Sequence, residues 1–343
     1  MKQPLFQQVL APDTLNRAWK ALSTDHAVWD AGIPRADMER DALRHILTLR
    51  DEVAFGRYRP APLRRFSIAK ADGRRRVLTA LCLRDKLLQK AVQLVLEPRA
   101  ERLFHHDSYA YRPRRNVDMA LERTRERIRC GLHWLVDADI HGFFDNIPHG
   151  PLKRCIERFV RDKPLTALIH QWIDAGAAHT SLLGKARGIP QGAILSPLCC
   201  NLYLHPFDAA LADRHIPFVR YADDFLLFTE TEAQAQAALV VAEQALRGLD
   251  LDLHPQKTRV VRSHPQVEFL GQRLPDANTA NPLPTKAPTR RKPPHARAAG
   301  TRPKAQRPPP PGKALKTDHH RSGTRRARHP QHPPQPKQPR NRR

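Results

Sequence analysis

The chain has 343 residues, of which 40% are hydrophobic and 27% charged, a profile typical of a globular protein with one or two domains. Its 59 Lys and Arg residues outnumber 34 Asp and Glu, so the formal net charge is +25 and a polyanionic partner is expected. No transmembrane-length apolar run, signal-peptide core or zinc-like cysteine spacing occurs, which predicts a cytoplasmic protein with reduced thiols and no membrane partner.

The first predicted elements are helices followed by a basic hairpin. Residues 1–60 are expected to form a mainly helical N-terminal extension. Residues 66–78 then favour two short strands around an Asp-Gly turn, and this hairpin would present a cluster of basic side chains. Apolar spacing over residues 83–97 predicts an amphipathic helix that ends at Pro98.

The middle of the chain alternates helices and strands irregularly. Asn116 is predicted to cap a helix, and a strand is expected over residues 133–140. Alternation in this strand places Trp134, Val136, Ala138 and Ile140 on one face and Leu135, Asp137 and Asp139 on the other. Further helices are predicted at 152–175, 195–213 and 232–248, a loop at 184–192 and a strand pair at 258–274. The pattern predicts an α+β fold with a mostly antiparallel sheet.

Two adjacent acids, Asp223 and Asp224, interrupt the apolar residues 219–228. With Ala222 they are predicted to form a hairpin tip between two strands, because Asp tolerates turn conformations. Crowded carboxylates repel one another and lose hydration, so they need a compensating charge, which bound divalent cations supply. On composition alone, an ordinary Asp-Asp turn is the alternative.

The last part of the chain has a different composition. Residues 275–343 contain 16 of the 32 prolines and 18 Lys or Arg against two acids. Such a segment has too few apolar groups to offset its conformational entropy, so we expect a disordered basic tail. It is interpreted as binding nucleic acid, as a solubilising tail, or as a terminus altered by a shift in the reading frame.

Several recognisable blocks stand in one order between residues 55 and 274. They are residues 68–76 (IAKADGRRR), 84–89 (RDK and Gln89), 108–113 (SYAYRP), 139–149 (DIHGFFDNIPH), 188–203 (GIPQG, SP and NLY), 221–224 (YADD), 251–258 (LDLHPQKT) and 269–271 (FLG). This set resembles the reverse transcriptases related to group II intron-encoded proteins. Part of the sequence also resembles reverse transcriptases associated with CRISPR adaptation.

The resemblance implies a right-hand polymerase with fingers and an antiparallel palm over residues 61–274. Such a protein is an RNA-directed DNA polymerase that extends a primer with dNTPs. The family's metal ligands fall on Asp139, Asp223 and Asp224, with the Ile140 carbonyl as a further ligand, for two Mg²⁺ ions or Mn²⁺ as a substitute. Asp137 and Asp145 are rivals by position, interpreted as a structural residue and as the cap of the following turn.

The resemblance also implies residues that contact nucleotide, template and primer. Those implied for the nucleotide are Lys70 and Arg76 at the triphosphate, Phe144 at the sugar 2′-position, Gln191 and Gly192 in a loop that allows close approach, and Lys257 as proton donor to pyrophosphate. Those implied for template or primer are Arg112, Phe269, Leu270 and Gly271. A structural salt bridge at Arg112, core packing at Phe144 and a surface position for Lys257 remain open.

The sequence departs from the family pattern in three places, one of which is residues 110–116 (AYRPRRN), where the family reads GFRPGRS. Residues 76–81 replace the usual RPLGIP block, which puts template contacts in doubt. After Gly271, where relatives continue into a helical thumb, the basic tail begins, so no thumb is recognisable. Expected partners are an RNA template, a DNA or RNA primer and either intron RNA or a CRISPR integrase. A non-catalytic RNA-binding or maturase-like protein that retains the fold is the competing interpretation.

Overall fold

The computed structural model describes residues 3–69, 75–177, 179–180 and 186–277, all within the structural unit Met1–Lys286. The tip of the predicted basic hairpin and the basic tail from residue 278 onward lie outside the described residues. The disorder predicted for that tail therefore stays a prediction. No helix within the described ranges combines the length and apolar character needed to span a bilayer.

Helices and strands alternate irregularly along the described chain. The helices are α1 (Leu5–Val9), α2 (Pro12–Ala21), α3 (Arg35–Arg40), α4 (Ala42–Ala54), α5 (Leu83–Ala100), α6 (Val117–Arg129), α7 (Phe143–Asn146), α8 (His149–Val160), α9 (Lys163–Ala175), α10 (Ser196–Asp213) and α11 (Glu232–Arg247). The strands are β1 (Arg64–Ala69), β2 (Arg75–Ala80), β3 (Trp134–Asp139), β4 (His179–Thr180), β5 (Ala186–Arg187), β6 (Phe218–Tyr221), β7 (Asp224–Thr229), β8 (Arg259–Arg262), β9 (Glu268–Phe269) and β10 (Gln272–Arg273).

The largest sheet in the described part of the chain has four strands in the order β6-β7-β3-β8, and all of its pairs are antiparallel. Three two-stranded antiparallel ribbons accompany it, β1 with β2, β4 with β5, and β9 with β10. Helix α11 packs on β3, β7 and β8, and α10 packs on α11. The predicted α+β class with antiparallel pairing is confirmed for these residues.

Strand β3 is buried on both faces, as its alternation predicts. Val136 and Ala138 belong to the main core with the helices, whereas Leu135 belongs to a second apolar cluster on the opposite face. Asp137 and Asp139 share the face of Leu135 by the same alternation. Because successive side chains of β3 alternate between the two faces, the strand packs between two apolar layers. Asp139 stands at the end of the strand.

Local signals set several helix starts. Asn116 accepts a hydrogen bond from the Met119 amide at 2.9 Å, so the predicted cap of α6 is confirmed. Thr231 and Gln234 form a reciprocal capping box at the start of α11. These caps satisfy amide groups that have no partner inside the helix.

Three predicted boundaries are wrong. Helix α5 continues past Pro98, because buried Ala100 extends its packing and the Glu101 amide still bonds the Glu97 carbonyl at 2.9 Å. The helical region 152–175 is two helices, because Arg161 takes a left-handed φ of 53° between them. The strand pair predicted over 258–274 is instead β8, which joins the main sheet, and the separate β9–β10 ribbon.

Candidate active site

The acids of the YADD stretch lie at a tight turn between β6 and β7. Tyr221 pairs with Asp224, so Ala222 and Asp223 form the two-residue tip of the hairpin. The predicted hairpin is confirmed, but the left-handed residue is Ala222, with φ 61°, rather than an Asp. Such a conformation is costly for alanine and needs support from its surroundings.

The register of the central sheet brings the distant acid Asp139 to this hairpin. Asp139, the last residue of β3, is the direct partner of Asp224 at the start of β7. The Ile140 amide donates to the Asp223 carbonyl at 3.2 Å, which ties the two strand ends together. Backbone pairing therefore holds the three acids at one end of the sheet.

A cavity of about 420 Å³ opens at this end of the sheet. Its lining combines the acids with residues of β2, α7 and two loops. The lining residues are Val77, Asp139, Ile140, His141, Gly142, Phe143, Phe144, Asp145, Gln191, Asp223, Asp224, His254 and Lys257. Most side chains that the sequence assigned to metal or nucleotide binding thus meet in one place.

The carboxylates of this cavity are electrostatically crowded. Burial, followed by the neighbouring charges of Asp223 and Asp139, raises the pKa of Asp224 to about 7. Lys257 forms an ion pair with Asp139 through its Nζ atom. One positive group therefore faces three acids, and the cluster retains an excess of negative charge.

The donor set of this cluster suits a hard divalent cation. Carboxylate and carbonyl oxygens are the ligands that Mg²⁺ prefers, and a cation would relieve the repulsion that raises the pKa of Asp224. Asp139, Asp223, Asp224 and the Ile140 carbonyl therefore fit the group. They do not form a closed ligand set, since Asp139 is turned to Lys257.

Another group of possible ligand atoms is more compact. Among the described residues, the group of three that converges within 4.8 Å is His105, His106 and Asp107. Asp107 is buried there and already forms ion pairs with Arg123 and Arg127. Those two arginines neutralise the carboxylate, so this cluster is better explained as a structural ion-pair network.

A buried ion pair beside the acidic hairpin stabilises its turn. Arg220 is fully buried and donates to both oxygens of Asp208 at 2.6 Å. Its third nitrogen donates to the Ala222 carbonyl at 3.0 Å and to the Asn201 side chain at 3.2 Å. The guanidinium therefore fixes the strained residue that precedes Asp223.

Comparison with known proteins identifies the family. Residues 68–274 match the family described as Reverse transcriptase (RNA-dependent DNA polymerase). The chain is a member of the reverse transcriptase family. Protein YkfC of Escherichia coli strain K12 is 30% identical over 315 residues, which cover 79% of this chain and 83% of that protein.

Other relatives are longer than this family member. Group II intron-encoded protein LtrA of Lactococcus lactis subsp. cremoris is 34% identical over 218 residues, which cover 63% of this chain and 36% of LtrA. A chain of the solved partial Cas6-RT-Cas1–Cas2 complex aligns with 72% of this chain and 42% of its own length, at 24% identity and a TM-score of 0.43. The resemblance to group II intron-encoded reverse transcriptases is thus confirmed at the level of the family.

Three predicted nucleotide contacts, Phe144, Gln191 and Lys257, lie in the acid cavity. Phe144 is 8% exposed there, packed edge-on against Phe143 and Tyr111 with ring centroids 5.5 and 6.5 Å away. Gln191 also lines the cavity, and its carbonyl accepts from the Thr79 amide of β2 at 2.8 Å. Core packing and a position facing the cavity therefore coexist at Phe144.

Gly192 has a different surrounding from the one predicted. It does not line the cavity, and its φ is 109°. A Cβ atom added there would lie 2.7 Å from the Thr79 carbonyl oxygen, which is closer than real contacts allow. The glycine is thus required for the loop to approach β2 rather than, in this arrangement, a nucleotide.

The basic residues predicted at the fingers have mixed outcomes. Lys70 lies outside the described residues, and Arg76 belongs to β2 by its backbone, with its side chain outside the description. Arg112 is buried, with its guanidinium bonded to Glu101 at 3.0 Å and to the Ser108 carbonyl at 2.6 Å. Arg112 therefore forms the salt bridge that the sequence left open, and the template contact assigned to it stays a prediction.

A second cavity of about 350 Å³ adjoins the first and shares Asp139, Asp224 and Lys257 with it. Phe269 and Leu270 line this second cavity, whereas Gly271 lies beside it at φ 75° without lining it. A site for template or primer at these residues stays a prediction.

The two rival acids are placed differently from the central three. Asp137 lines the second cavity and is paired with Arg259 at 2.8 Å, in keeping with a structural role. Burial nevertheless raises the pKa of Asp137. Asp145 lines the first cavity, and α8 begins after Pro148 without a side-chain cap, so the capping role predicted for Asp145 is wrong.

Sequence reasoning overlooked the supporting charges. Arg220 stands in an otherwise apolar strand, and a charged residue in such a stretch requires a buried counterion. That signal points to a partner without identifying Asp208. His141 and His254, whose rings lie 5.3 Å apart at the cavity, carried no comparable signal.

Proposed function

We propose that this reverse transcriptase family member is an RNA-directed DNA polymerase that extends a primer 3′-hydroxyl with dNTPs. The observation that supports the proposal is the register of β3 and β7. It places Asp139 opposite Asp224, beside Asp223 at the hairpin tip, on a cavity large enough for a substrate group. Phosphoryl transfer needs this combination of convergent acids and an open cavity.

In this proposal the four-stranded sheet is the palm and the β1–β2 hairpin belongs to the fingers, together spanning residues 61–274. Residues 1–60 then form an N-terminal helical extension. The hairpin and the cavity are linked, because Val77 lines the cavity and Thr79 bonds Gln191. Incoming nucleotide would lie between these two parts.

Asp139, Asp223, Asp224 and the Ile140 carbonyl would hold two Mg²⁺ ions, with Mn²⁺ as a substitute. Bound ions of this kind activate the attacking hydroxyl and stabilise the leaving pyrophosphate. The protein contributes the fixed backbone register of these ligands and the buried support under Ala222.

Other residues of the cavity would select and orient the nucleotide. The ring of Phe144 is held by Phe143 and Tyr111, so it would crowd a ribose 2′-hydroxyl and favour deoxynucleotides. Gln191 would contact the nucleotide from the loop side. Lys70 and Arg76 would meet the triphosphate, where charge-assisted contacts are strongest.

Lys257 would change partners during the reaction. Its ammonium group is paired with Asp139, and Lys257 lines both cavities. The Lys257 ammonium group would donate a proton to the departing pyrophosphate. Its location on both cavities suits a group that acts on the substrate.

The proposed partners are an RNA template and a DNA or RNA primer. The formal net charge of +25 favours phosphate backbones, since each neutralised phosphate releases counterions. Intron RNA is one template candidate, because LtrA is named as encoded by a group II intron.

A second candidate function is RNA binding without polymerisation. One observation favours it, the ion pair that Lys257 forms with a proposed metal ligand, Asp139. Primer extension with Mg²⁺ on an RNA template distinguishes the two functions. Incorporation that depends on Asp223 supports the polymerase, and RNA binding without incorporation supports the second candidate.

A further inference from the structure

Another cavity lies away from the acids. It has a volume of about 580 Å³ and shares no residue with the two cavities at Asp139. Residues from the end of α5, from α8, from α10 and from the segment after α11 surround it. Its size is within the range of pockets that bind small organic groups.

The charged groups of this cavity all have one sign. Arg99, Arg154, Arg158 and Arg161 line it, and no Asp or Glu does. None of the four is in ion-pair contact with a carboxylate of the described residues, whereas most other arginines of the helices are paired. Four unneutralised guanidinium groups in one concave surface predict an anionic ligand.

Two residues that line this cavity carry a buried polar atom without a hydrogen-bond partner in the described part of the chain. The Arg99 Nε and the His205 Nδ1 are buried, and neither has a hydrogen-bond partner among the described residues. Buried donors and acceptors without partners are rare in folded proteins and costly.

The floor of the cavity is apolar and aromatic. Leu202 and Leu249 contribute aliphatic surface, and the Phe159 ring carries the Arg99 guanidinium 6.0 Å from its centroid. A flat group entering the cavity would meet these planar surfaces. Single-stranded RNA is commonly held in this way, with bases stacked on aromatic rings or guanidinium planes and phosphates on basic residues.

We propose that this cavity binds an unpaired nucleotide of single-stranded RNA. The base would enter against Phe159, and the flanking phosphates would bond the arginines. Arg154 and Arg158 are one helical turn apart on α8, so they form a row that matches successive phosphates better than a single anion. A duplex would not fit, because its bases are stacked and paired.

The chain's own basic segment is not the occupant. Residues 275–343 carry 18 Lys or Arg against two acids, so the arginines of the cavity would repel it. The proposed RNA contact does not depend on polymerase activity, since it shares no residue with the acid cavity. Its failure and the failure of the polymerase proposal are therefore distinguishable.

The test uses the full chain and a fluorescent 12-nucleotide single-stranded RNA that carries 4-thiouridine. The variant Arg154→Ala/Arg158→Ala is compared with Arg40→Ala/Arg44→Ala, which removes the same charge from side chains 80% and 72% exposed on other helices. We expect the first pair to weaken binding about tenfold at 100 mM salt and to reduce the salt slope by about 1.4. The control pair should change affinity far less.

Two additional variants separate charge from shape. Arg154→Lys/Arg158→Lys keeps the charge and should retain most of the affinity, while Phe159→Leu keeps an apolar floor but should reduce crosslinking. Crosslinks should map to the peptide that contains Phe159. Equal affinity of both double-alanine variants, with crosslinks confined to the acid cavity, would overturn the proposal. Selective loss of binding to a fluorescent oligoglutamate peptide, with RNA affinity unchanged, would replace RNA with an acidic protein segment.

Discussion

Asp139 and Asp224 face each other as paired residues across β3 and β7, and Asp223 lies in the turn that leads into β7. Backbone hydrogen bonds determine this arrangement, so the acids stay together despite their repulsion. The sheet thereby stores an unfavourable charge cluster at one end. A cation that binds there would relieve the electrostatic repulsion among these carboxylates, and this relief would favour its binding.

The aromatic ring at Phe144 is expected to select the sugar. Phe144→Ala should increase incorporation of ribonucleotides relative to deoxynucleotides by about tenfold or more, because the ring held by Tyr111 no longer crowds the 2′-hydroxyl. The ratio of kcat/KM for rNTP and dNTP measures the effect. Phe144→Tyr keeps the ring and should keep the selectivity; an unchanged ratio in the alanine variant would refute the assignment.

Metal-free stability should depend on the protonation of Asp224. Its pKa of about 7 in the folded protein exceeds the ordinary value of about 3.9 in an unfolded chain. The folded state therefore favours the proton, so the stability that Asp224 contributes is fully present below about pH 4 and falls as pH rises to about 7. Asp224→Asn removes this dependence, and its Tm advantage over the wild type should grow from pH 5 to pH 8.

Two additions sharpen the measurement at Asp224. Asp145→Asn, which removes another carboxylate from the same cavity, should show no comparable growth. Mg²⁺ added at pH 8 should raise the Tm of the wild type more than that of Asp224→Asn. Parallel Tm curves for wild type and Asp224→Asn across this pH range would show that the charges are not coupled to stability.

The ion pair under the hairpin should be essential to folding. Asp208→Asn leaves the Arg220 guanidinium buried without its counterion, which should cost about 3–5 kcal/mol of unfolding free energy. Asp37→Asn, whose partner Arg40 is exposed, should cost under about 1 kcal/mol. Urea denaturation measures both.

A double substitution tests the cause of that loss. Asp208→Leu/Arg220→Met removes both charges and should recover much of the stability lost in Asp208→Asn. If Asp208→Asn leaves the free energy of unfolding unchanged, the ion pair does not support the hairpin.

The contact between Gly192 and β2 predicts a specific intolerance. Gly192→Ala places a methyl group 2.7 Å from the Thr79 carbonyl in a backbone of φ 109°. Gly32→Ala meets the same kind of backbone, φ 78°, but no atom within 4 Å. We expect about 1 kcal/mol of destabilisation at Gly32 and clearly more at Gly192, measured by thermal unfolding. Equal losses would remove the steric argument.

Much of this site was predictable because its signals are local. Alternation over β3 determined which residues share a face with Asp139, and Asn116 marked the start of α6. The acidic turn between apolar strands predicted the hairpin. Such features depend on neighbours within a few residues, where periodicity and turn chemistry decide the structure.

The remaining features depend on contacts between distant segments. Lys257 reaches Asp139, and Arg220 reaches Asp208, through packing that no local pattern specifies. The left-handed φ at Ala222 is tolerated because Arg220 bonds its carbonyl, and helix α5 passes Pro98 because Ala100 is buried. Tertiary contacts override the local preference in each case.

In the proposed function, the acids at this hairpin carry out nucleotide transfer. The most direct measurement is dNTP incorporation on poly(rA)/oligo(dT) with Mg²⁺, comparing wild type, Asp223→Asn and Asp145→Asn. We predict extension by the wild type, a loss of at least about 100-fold in Asp223→Asn and a far smaller loss in Asp145→Asn. No incorporation by the wild type, or equal incorporation by wild type and Asp223→Asn, would contradict the claim.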